Sequence, residues 1–160
     1  MRRILAFLLF LPLLAGGGGT VVFKQNSFIA EVAATDQEKA KGLMYRQALP
    51  KDRCMFFVYG EDGHRTIWMK NCLIALDVAW VDAEGRVVET AEHAPPCSPM
   101  RGEDCPTYGG SQPSRYFIEF GAGTFKRLGL KKGDRLGWEL VLDDGRGVRG
   151  GVPIPKARKK

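Results

Sequence analysis

One short stretch of the chain carries most of the residues that could do chemistry. The sequence WMKNCLIALD, Trp68 to Asp77, places a lysine, an asparagine, a cysteine and an aspartate in a run that otherwise resembles a buried strand. Asp77 is flanked by LIAL and VAWV, so its backbone is predicted to be interior. A carboxylate in such a position needs a charged partner or several hydrogen-bond donors.

Arg46 is the preferred partner for Asp77, because a guanidinium group can hold a carboxylate with two hydrogen bonds, and Lys70 is the second choice. Three interpretations stay open at this point. Asp77 and Arg46 form a structural ion pair between helix and sheet, or they belong to a polar pocket, or Asp77 is exposed without a partner. The pocket interpretation gives the ligand-binding candidates Met44, Arg46, Trp68, Lys70, Asn71 and Asp77.

Catalytic groupings are scarce in the sequence. The two histidines are His64, in the turn EDGHR, and His93, at the end of a predicted strand. Neither a G-x-S-x-G nucleophile elbow nor a phosphate-binding glycine loop is present. Lys70 and Asp77 could form an acid–base pair, but they indicate no particular reaction. We therefore predict no catalytic residue and no cofactor, and we favour binding over catalysis.

The N-terminal sequence MRRILAFLLFLPLLAGGGG has the layout of a secretory signal peptide. Its apolar stretch is shorter than the roughly 18 residues that span a bilayer, so an uncleaved anchor is the less favoured alternative. We predict a signal peptide at 1–15, a flexible start at 16–26, a single β domain at 27–152 and a basic mobile tail at 153–160. The protein is then expected to be periplasmic or secreted, with no stable membrane span after cleavage.

The net charge of +6 comes from the two ends of the chain. Removing Arg2 and Arg3 leaves +4, and removing Lys156, Arg158, Lys159 and Lys160 from the tail leaves 0. The folded body is therefore close to neutral, although the calculated pI of the whole chain is 9.3. Because no aromatic residue is interleaved with the basic tail, nucleic acid is not an expected partner.

The four cysteines predict disulfide bonds, since an oxidising compartment preserves them. Cys97 and Cys105 flank the polar segment SPMRGED, and this pairing is favoured. Cys54 and Cys72 lie at the edges of two strand-like runs, and a bond between them is expected if those strands are neighbours. A zinc site built from His93, Cys97 and Cys105 is the alternative, but it lacks the usual close pairs of ligands, so no metal site is predicted.

Strands dominate the predicted elements. The segment FIAEVAA predicts a strand, and TDQE at Thr35 predicts a capping box that begins a helix running to about Tyr45. Further strands are predicted at CMFFVY, TIWMKN, LIALDVAWVD, RVVETAEH, RYFIEF and DRLGWELVL, with a hairpin turn at 83–85. The expected fold is mainly β, a mostly antiparallel, jelly-roll-like barrel or sandwich with one helix packed on it. Residues 94–114 are expected to form an ordered flap.

Five segments together resemble the DUF192 family, a domain of unknown function. They are GLMYR at 42–46, MFFVY at 55–59, WMKN at 68–71, LD at 76–77 and IEFGAG at 118–123. The resemblance covers about 28–141. It implies a compact β domain related in shape to barrels or jelly rolls, with no assigned activity.

Three positions depart from the family pattern. Glycine is typical where Cys54 stands, and threonine is typical where Cys72 stands. Cysteine at both positions is what a disulfide between adjacent strands would require. Ala75 stands where the family usually has proline, which calls into question the expected break in the chain there but not the motif.

The favoured function is an exported binding module whose polar pocket takes a small ligand or a glycan. The alternative is a protein-interaction or envelope-associated module, which would bind a cell-envelope protein through a sheet edge or the basic tail. An uncharacterised enzyme is the third possibility.

Overall fold

The computed structural model describes residues 17–154, which form one curled β-sheet with two short helices. The predicted signal peptide at 1–15 and residues 155–160 of the predicted tail lie outside this range. The strands are β1 (Gly18–Phe23), β2 (Asn26–Ala33), β3 (Arg53–Trp68), β4 (Leu76–Val81), β5 (Val87–Ala94), β6 (Thr107–Gly121), β7 (Gly137–Val141) and β8 (Gly147–Gly151). The helices are α1 (Asp36–Lys41) and α2 (Thr124–Leu128), and Pro99–Arg101 form a 3₁₀ turn.

The strand order in the sheet is β5-β4-β6-β3-β2-β1-β7-β8. All neighbouring pairs are antiparallel except β2 and β3, which are parallel. The sheet curls so far that the start of β5 meets the segment before β7: Val87 N donates to Asp134 O, and Leu136 N donates to Gly85 O, both at 2.8 Å. The result is a half barrel, which confirms the predicted mainly β fold class.

The concave side of the sheet encloses the larger hydrophobic core, which we call the inner core. Rings from strands that are far apart in the sheet meet there: Phe56 on β3 lies 5.2 Å from Trp138 on β7, measured between ring centroids. Tyr116 on β6 lies 4.9 Å from the same indole. These contacts across the curl bury large apolar side chains and so provide much of the driving force for folding.

The convex side carries a second apolar cluster, the outer core. Strand residues Met55, Phe57, Val78, Trp80 and Phe117 form its floor. The chain segment that follows α1 and the loops at 69–75 and 95–106 cover this floor with Leu43, Met69, Cys72, Cys97 and Cys105. Because side chains alternate between the two faces along each strand, neighbouring residues of one strand belong to different cores.

Helix α1 begins as predicted and ends earlier than predicted. Thr35 Oγ1 accepts a hydrogen bond from Glu38 N at 3.2 Å, and Glu38 Oε2 accepts from Thr35 N at 2.8 Å, so the predicted capping box is confirmed. The expected extension to about Tyr45 is wrong, because the helix stops at Lys41. Gly42 has φ of +44° and turns the chain onto the ring of Phe57, a conformation that glycine adopts readily.

Three other boundaries differ from the sequence prediction. The segment 16–26, predicted to be a flexible start, contains β1, which pairs with β2 and β7 and buries Val21 and Phe23 in the inner core. The runs CMFFVY and TIWMKN belong to one strand, β3, with two register shifts against β6. Strand β6 already begins at Thr107, so the flap is limited to residues 95–106.

No helix within residues 17–154 has the length and apolar character needed to cross a membrane.

Candidate functional site

Asp77 is buried, but its partners are backbone amides. Its Oδ1 accepts a hydrogen bond from His93 N and its Oδ2 accepts one from Phe125 N, both at 2.8 Å. The predicted ion pair with Arg46 is therefore wrong. On β4, Leu76, Val78 and Trp80 face the outer core, so Asp77 faces the inner core, on the opposite side of the sheet from the segment that carries Arg46.

Arg46 instead pairs with Glu31 on β2. Its two terminal nitrogens donate to the two carboxylate oxygens at 2.7 and 2.5 Å, and both side chains are about two-thirds buried. The hydrogen bond from Arg46 lowers the pKa of Glu31, although burial opposes that change. The guanidinium thus holds a different carboxylate from the predicted one, in the bidentate geometry that the sequence analysis expected.

The structure reveals a further acid, Glu119 on β6, which the sequence analysis did not single out. The strand registers place Glu31, Met55, Glu119 and Val78 in one row across β2, β3, β6 and β4, on the convex face. Glu119 is only 6% exposed, and its Oε2 has no hydrogen-bond partner among residues 17–154. The available signal was a charged residue between apolar ones in RYFIEF.

Burial determines the protonation of Glu119. Loss of hydration disfavours the charged form and raises the pKa of Glu119 from 4.5 to about 8, while the positive charge of Arg46 opposes this rise. The carboxyl group is therefore mostly protonated at neutral pH. A neutral carboxyl group can donate a hydrogen bond as well as accept one.

Glu119 lines a cavity of about 300 Å³ on the convex face, which we call the Glu119 cavity. Its aromatic walls are Phe57, Tyr59, Trp68 and Phe117, and Met44 and Cys72 line it as well. Lys39, Ala40 and Lys41 of α1 also contribute to the lining. Two predicted site residues, Met44 and Trp68, are thus brought together with an acid that was not predicted.

Lys70 and Asn71 lie next to the Glu119 cavity and are not part of its lining. The Nζ atom of Lys70 lies 4.5 Å from the ring centroid of Trp68 and forms an ion pair with Glu103 of the flap. Asn71 has φ of +59°; its carbonyl accepts from Tyr45 N at 2.8 Å, and its Nδ2 donates to Met44 Sδ at 3.7 Å. Both residues therefore hold wall side chains in place. Of the six candidates, Asp77 alone faces the other side of the sheet.

The flap is held by the Cys97–Cys105 disulfide, which confirms that prediction. Cys97 N also donates to Cys72 O at 2.9 Å, and Trp68 Nε1 donates to Cys105 O at 3.1 Å. The flap thus supports one wall of the Glu119 cavity. Because Cys97 and Cys105 are bonded to each other, the alternative zinc site with His93 loses two of its three ligands.

The predicted Cys54–Cys72 disulfide is wrong. Cys54 lies in the inner core and Cys72 in the outer core, and both thiols are free and buried. The sheet separates them, because Cys54 is on the concave side of β3 and Cys72 is in the loop that covers the convex side. Burial raises the pKa of both thiols, that of Cys72 to about 11. Cys72 is therefore a neutral thiol at pH 7.

We expect the single disulfide to be detected by mass spectrometry. After denaturation and alkylation without reductant, protein isolated from an oxidising compartment should carry two alkyl groups, on Cys54 and Cys72. After reduction it should carry four. Reduction should also lower the free energy of unfolding by about 2.6 kcal/mol, because it releases a short closed loop. Four alkylated cysteines without reductant would contradict the bond.

A larger cavity, of about 570 Å³, also borders α1. Its lining includes Glu31, Glu38 and Arg46. Its two carboxylates are already engaged: Glu31 with Arg46, and Glu38 with the amides at the start of α1. The Glu119 cavity offers an unpaired buried polar atom, so we take it as the candidate site despite its smaller volume.

Comparison with known proteins places the chain in a family. The profile of DUF192, described as "Uncharacterized ACR", matches residues 20–138. The chain belongs to the DUF192 family. The resemblance inferred from the five sequence segments is thus confirmed. The match begins within β1 and ends within β7, so it includes every residue that lines the Glu119 cavity.

Two solved structures resemble this DUF192 protein closely. One is a proposed transcription regulator from Sinorhizobium meliloti, with 30% sequence identity and a TM-score of 0.68; the match covers 76% of this chain and 93% of that chain. The other is a protein of unknown function from Novosphingobium aromaticivorans, with 32% identity and a TM-score of 0.66, covering 76% and 84%. A search of curated proteins found no match.

Proposed function

We propose that this DUF192 domain binds a small, uncharged, ring-shaped ligand in the Glu119 cavity, a single sugar residue of a glycan being one such ligand. The observation that carries the proposal is the buried Oε2 of Glu119, which has no partner among residues 17–154 and belongs to a side chain that lines a cavity with aromatic walls. Buried polar groups in proteins are nearly always hydrogen-bonded, so an unpaired one in a cavity is a natural place for a ligand to bind.

The walls of the cavity suit a ring. Phe57 and Phe117 stack with their centroids 4.2 Å apart, and Trp68, which is 38% exposed, presents an indole to the solvent side. Flat apolar side chains of this kind pack against sugar or aromatic rings and lose little conformational entropy on binding. The volume of about 300 Å³ lies at the small end of known ligand sites, which favours one ring over an extended chain.

We propose binding rather than catalysis because the cavity contains one carboxyl group. General acid–base chemistry on a sugar or ester commonly uses two groups whose pKa values are shifted in opposite directions. Glu31 and Glu119 are shifted in this way, but both oxygens of Glu31 are engaged by Arg46, and Glu31 lines the larger cavity. Met55 stands between the two acids in the row across the sheet.

A nucleic-acid partner, which the description of the Sinorhizobium relative would suggest, is less favoured for this chain. Of the 24 lysines and arginines, six lie outside residues 17–154, which leaves 18 against 18 acidic residues. A body with no net charge lacks the electrostatic attraction that drives binding to a phosphate backbone. The protein-interaction alternative would use the edge strand β8 or the basic tail.

We also propose that the protein is exported. The layout of residues 1–15 and the Cys97–Cys105 bond both support an oxidising compartment, where disulfides persist.

Benzamide, N-acetylglucosamine and glucose can test the binding proposal by saturation-transfer NMR with the purified, oxidised protein. We expect at least one of them to bind with a Kd of about 1 mM or lower, which corresponds to roughly 4 kcal/mol. Trp68→Ala should weaken that binding at least tenfold, because it removes one wall of the cavity. Met100→Ala, at a side chain that is 96% exposed on the flap, should leave it unchanged.

Two results would overturn the proposal. One is the absence of binding by all three probes. The other is binding that Trp68→Ala leaves intact, which would place the ligand elsewhere. The melting temperature of each variant shows whether a loss of binding reflects unfolding.

A further inference from the structure

One carboxyl oxygen of Glu119, Oε2, has no hydrogen-bond partner within residues 17–154 that a ligand would have to displace. This atom is buried on the convex face, while the neighbours of Glu119 in its row, Met55 and Val78, offer only apolar side chains. What the atom can offer depends on whether the carboxyl carries its proton. An ionised carboxylate would require donors from the ligand, and a protonated carboxyl group would require an acceptor.

Burial favours the protonated form of Glu119, and no neighbouring charge contributes to that preference. From the segment after α1, Arg46 is the cation that acts on Glu119, and Glu31 of β2 already occupies both of its terminal nitrogens. Tyr59 of β3 and Cys72 of the 69–75 loop also interact with Glu119, and burial raises the pKa of both, so both are neutral at pH 7.

From α1, Lys39 lies over the ring of Tyr59, 4.4 Å from its centroid. Lys41, also of α1, lines the cavity as well.

We propose that Glu119 donates a hydrogen bond to the ligand, so that the cavity selects rings bearing an uncharged acceptor oxygen, such as an amide or acetamido carbonyl. The proposal rests on the binding function proposed above and adds the chemical group by which the ligand is recognised. The carboxyl group lies at the apolar floor, so the acceptor oxygen enters first and the ring follows, packed between the aromatic walls. Ligands with that acceptor would be selected because they give the buried O–H group a partner, whereas ligands without it leave the group as unpaired as it is in the free protein.

Binding then depends on the proton that Glu119 carries. With a pKa of about 8, Glu119 is mostly protonated at pH 7 and mostly ionised at pH 9.5. If the ionised form does not bind, the affinity for an uncharged probe should fall roughly thirtyfold between these two pH values. Benzamide and N-acetylglucosamine keep their charge state across this range, so the change comes from the protein.

The test measures the Kd of benzamide or N-acetylglucosamine, whichever binds more tightly, at pH 7 and pH 9.5. Wild type should show the thirtyfold fall. Glu119→Gln keeps an N–H donor and has no proton to lose, so it should bind at both pH values with less than a threefold difference. Glu119→Leu removes the donor and should bind at least tenfold more weakly than wild type at pH 7. Thermal melts at each pH establish that every variant is folded.

The outcomes separate the two proposals. One outcome is binding to wild type that Trp68→Ala weakens, with the same affinity at both pH values and in Glu119→Leu. In that case the cavity binds ligands, and the hydrogen-bonding role proposed for Glu119 is wrong. If no probe binds at all, the binding function itself is wrong. A fall with pH that persists in Glu119→Gln would assign the titration to another group and would also overturn the role of Glu119.

Discussion

Glu119→Gln is expected to remove most of the loss of stability that the wild-type protein shows between pH 5 and pH 8. In the unfolded chain Glu119 ionises near its ordinary pKa of 4.5, whereas in the folded protein burial raises its pKa to about 8. Between these values the folded state binds more protons than the unfolded state, so the free energy of unfolding falls as the pH rises. Below pH 4.5 the contribution of the proton is fully present, and above pH 8 it is lost.

The size of the effect follows from the shift in pKa. Each unit corresponds to about 1.4 kcal/mol, so wild type should lose roughly 3–4 kcal/mol from this group between pH 5 and pH 8. Urea unfolding at several pH values measures the loss directly. Glu61→Gln, at an exposed position of β3, is a matched control and should leave the pH dependence of wild type unchanged.

Two results would contradict this expectation. Equal slopes of stability against pH in wild type and Glu119→Gln would mean that the folded and unfolded pKa values of Glu119 are similar. An increase in wild-type stability over this pH range that is absent from Glu119→Gln would mean that the carboxylate is stabilised as an anion.

Asp77→Ala is expected to be strongly destabilising, because Asp77 is a buried acid on the inner-core face of the sheet. It leaves the buried amide of Phe125 and the partly buried amide of His93 without an acceptor. Each buried donor without a partner costs about 1–3 kcal/mol, so the free energy of unfolding should fall by about 2–5 kcal/mol. Asp77→Asn retains one acceptor oxygen and should lose less than Asp77→Ala. Urea unfolding of the three proteins provides the measurement.

Asp82 offers a matched control for Asp77. Its carboxylate also accepts two backbone N–H groups, those of Glu84 and Arg86, but at an exposed turn. Asp82→Ala should cost only about 1 kcal/mol, because water can replace the lost acceptor. Equal losses in Asp77→Ala and Asp82→Ala would show that burial does not determine the cost.

The local signals in the sequence predicted much of the fold. The capping box at Thr35, the hairpin turn at 83–85 and the alternating strands depend on residues within a few positions of one another, so the pattern itself carries the information. The Cys97–Cys105 bond closes a loop of the same short range. Predictions of this kind need no knowledge of how distant strands pair.

The partner of Asp77 illustrates what the local pattern left open. The sequence indicated that this acid is buried and requires either a cation or several donors. The choice between a cation and several donors depends on which face of the sheet Asp77 occupies and on which chain segments lie against that face. A β-bulge between β4 and β5 and the positive φ of His93, +54°, turn an amide toward the carboxylate.

The Glu119 cavity depends even more on tertiary structure. RYFIEF identifies an acid inside a strand, but the row that joins Glu31, Met55 and Glu119 crosses strands that are far apart in the chain. The separation of Cys54 from Cys72 has the same origin, because the sheet lies between them.

The sequence by itself determined the mainly β architecture, the family, the short disulfide and the burial of Asp77. Tertiary structure alone decided the partners of the charged side chains. Arg46 pairs with Glu31, and Asp77 accepts from two backbone amides. Glu119 Oε2 has no partner among residues 17–154. The physical reason is that a shift of one residue in register moves every side chain of a strand to the other face. Contacts between side chains of a curled sheet are therefore set by pairing across the whole chain.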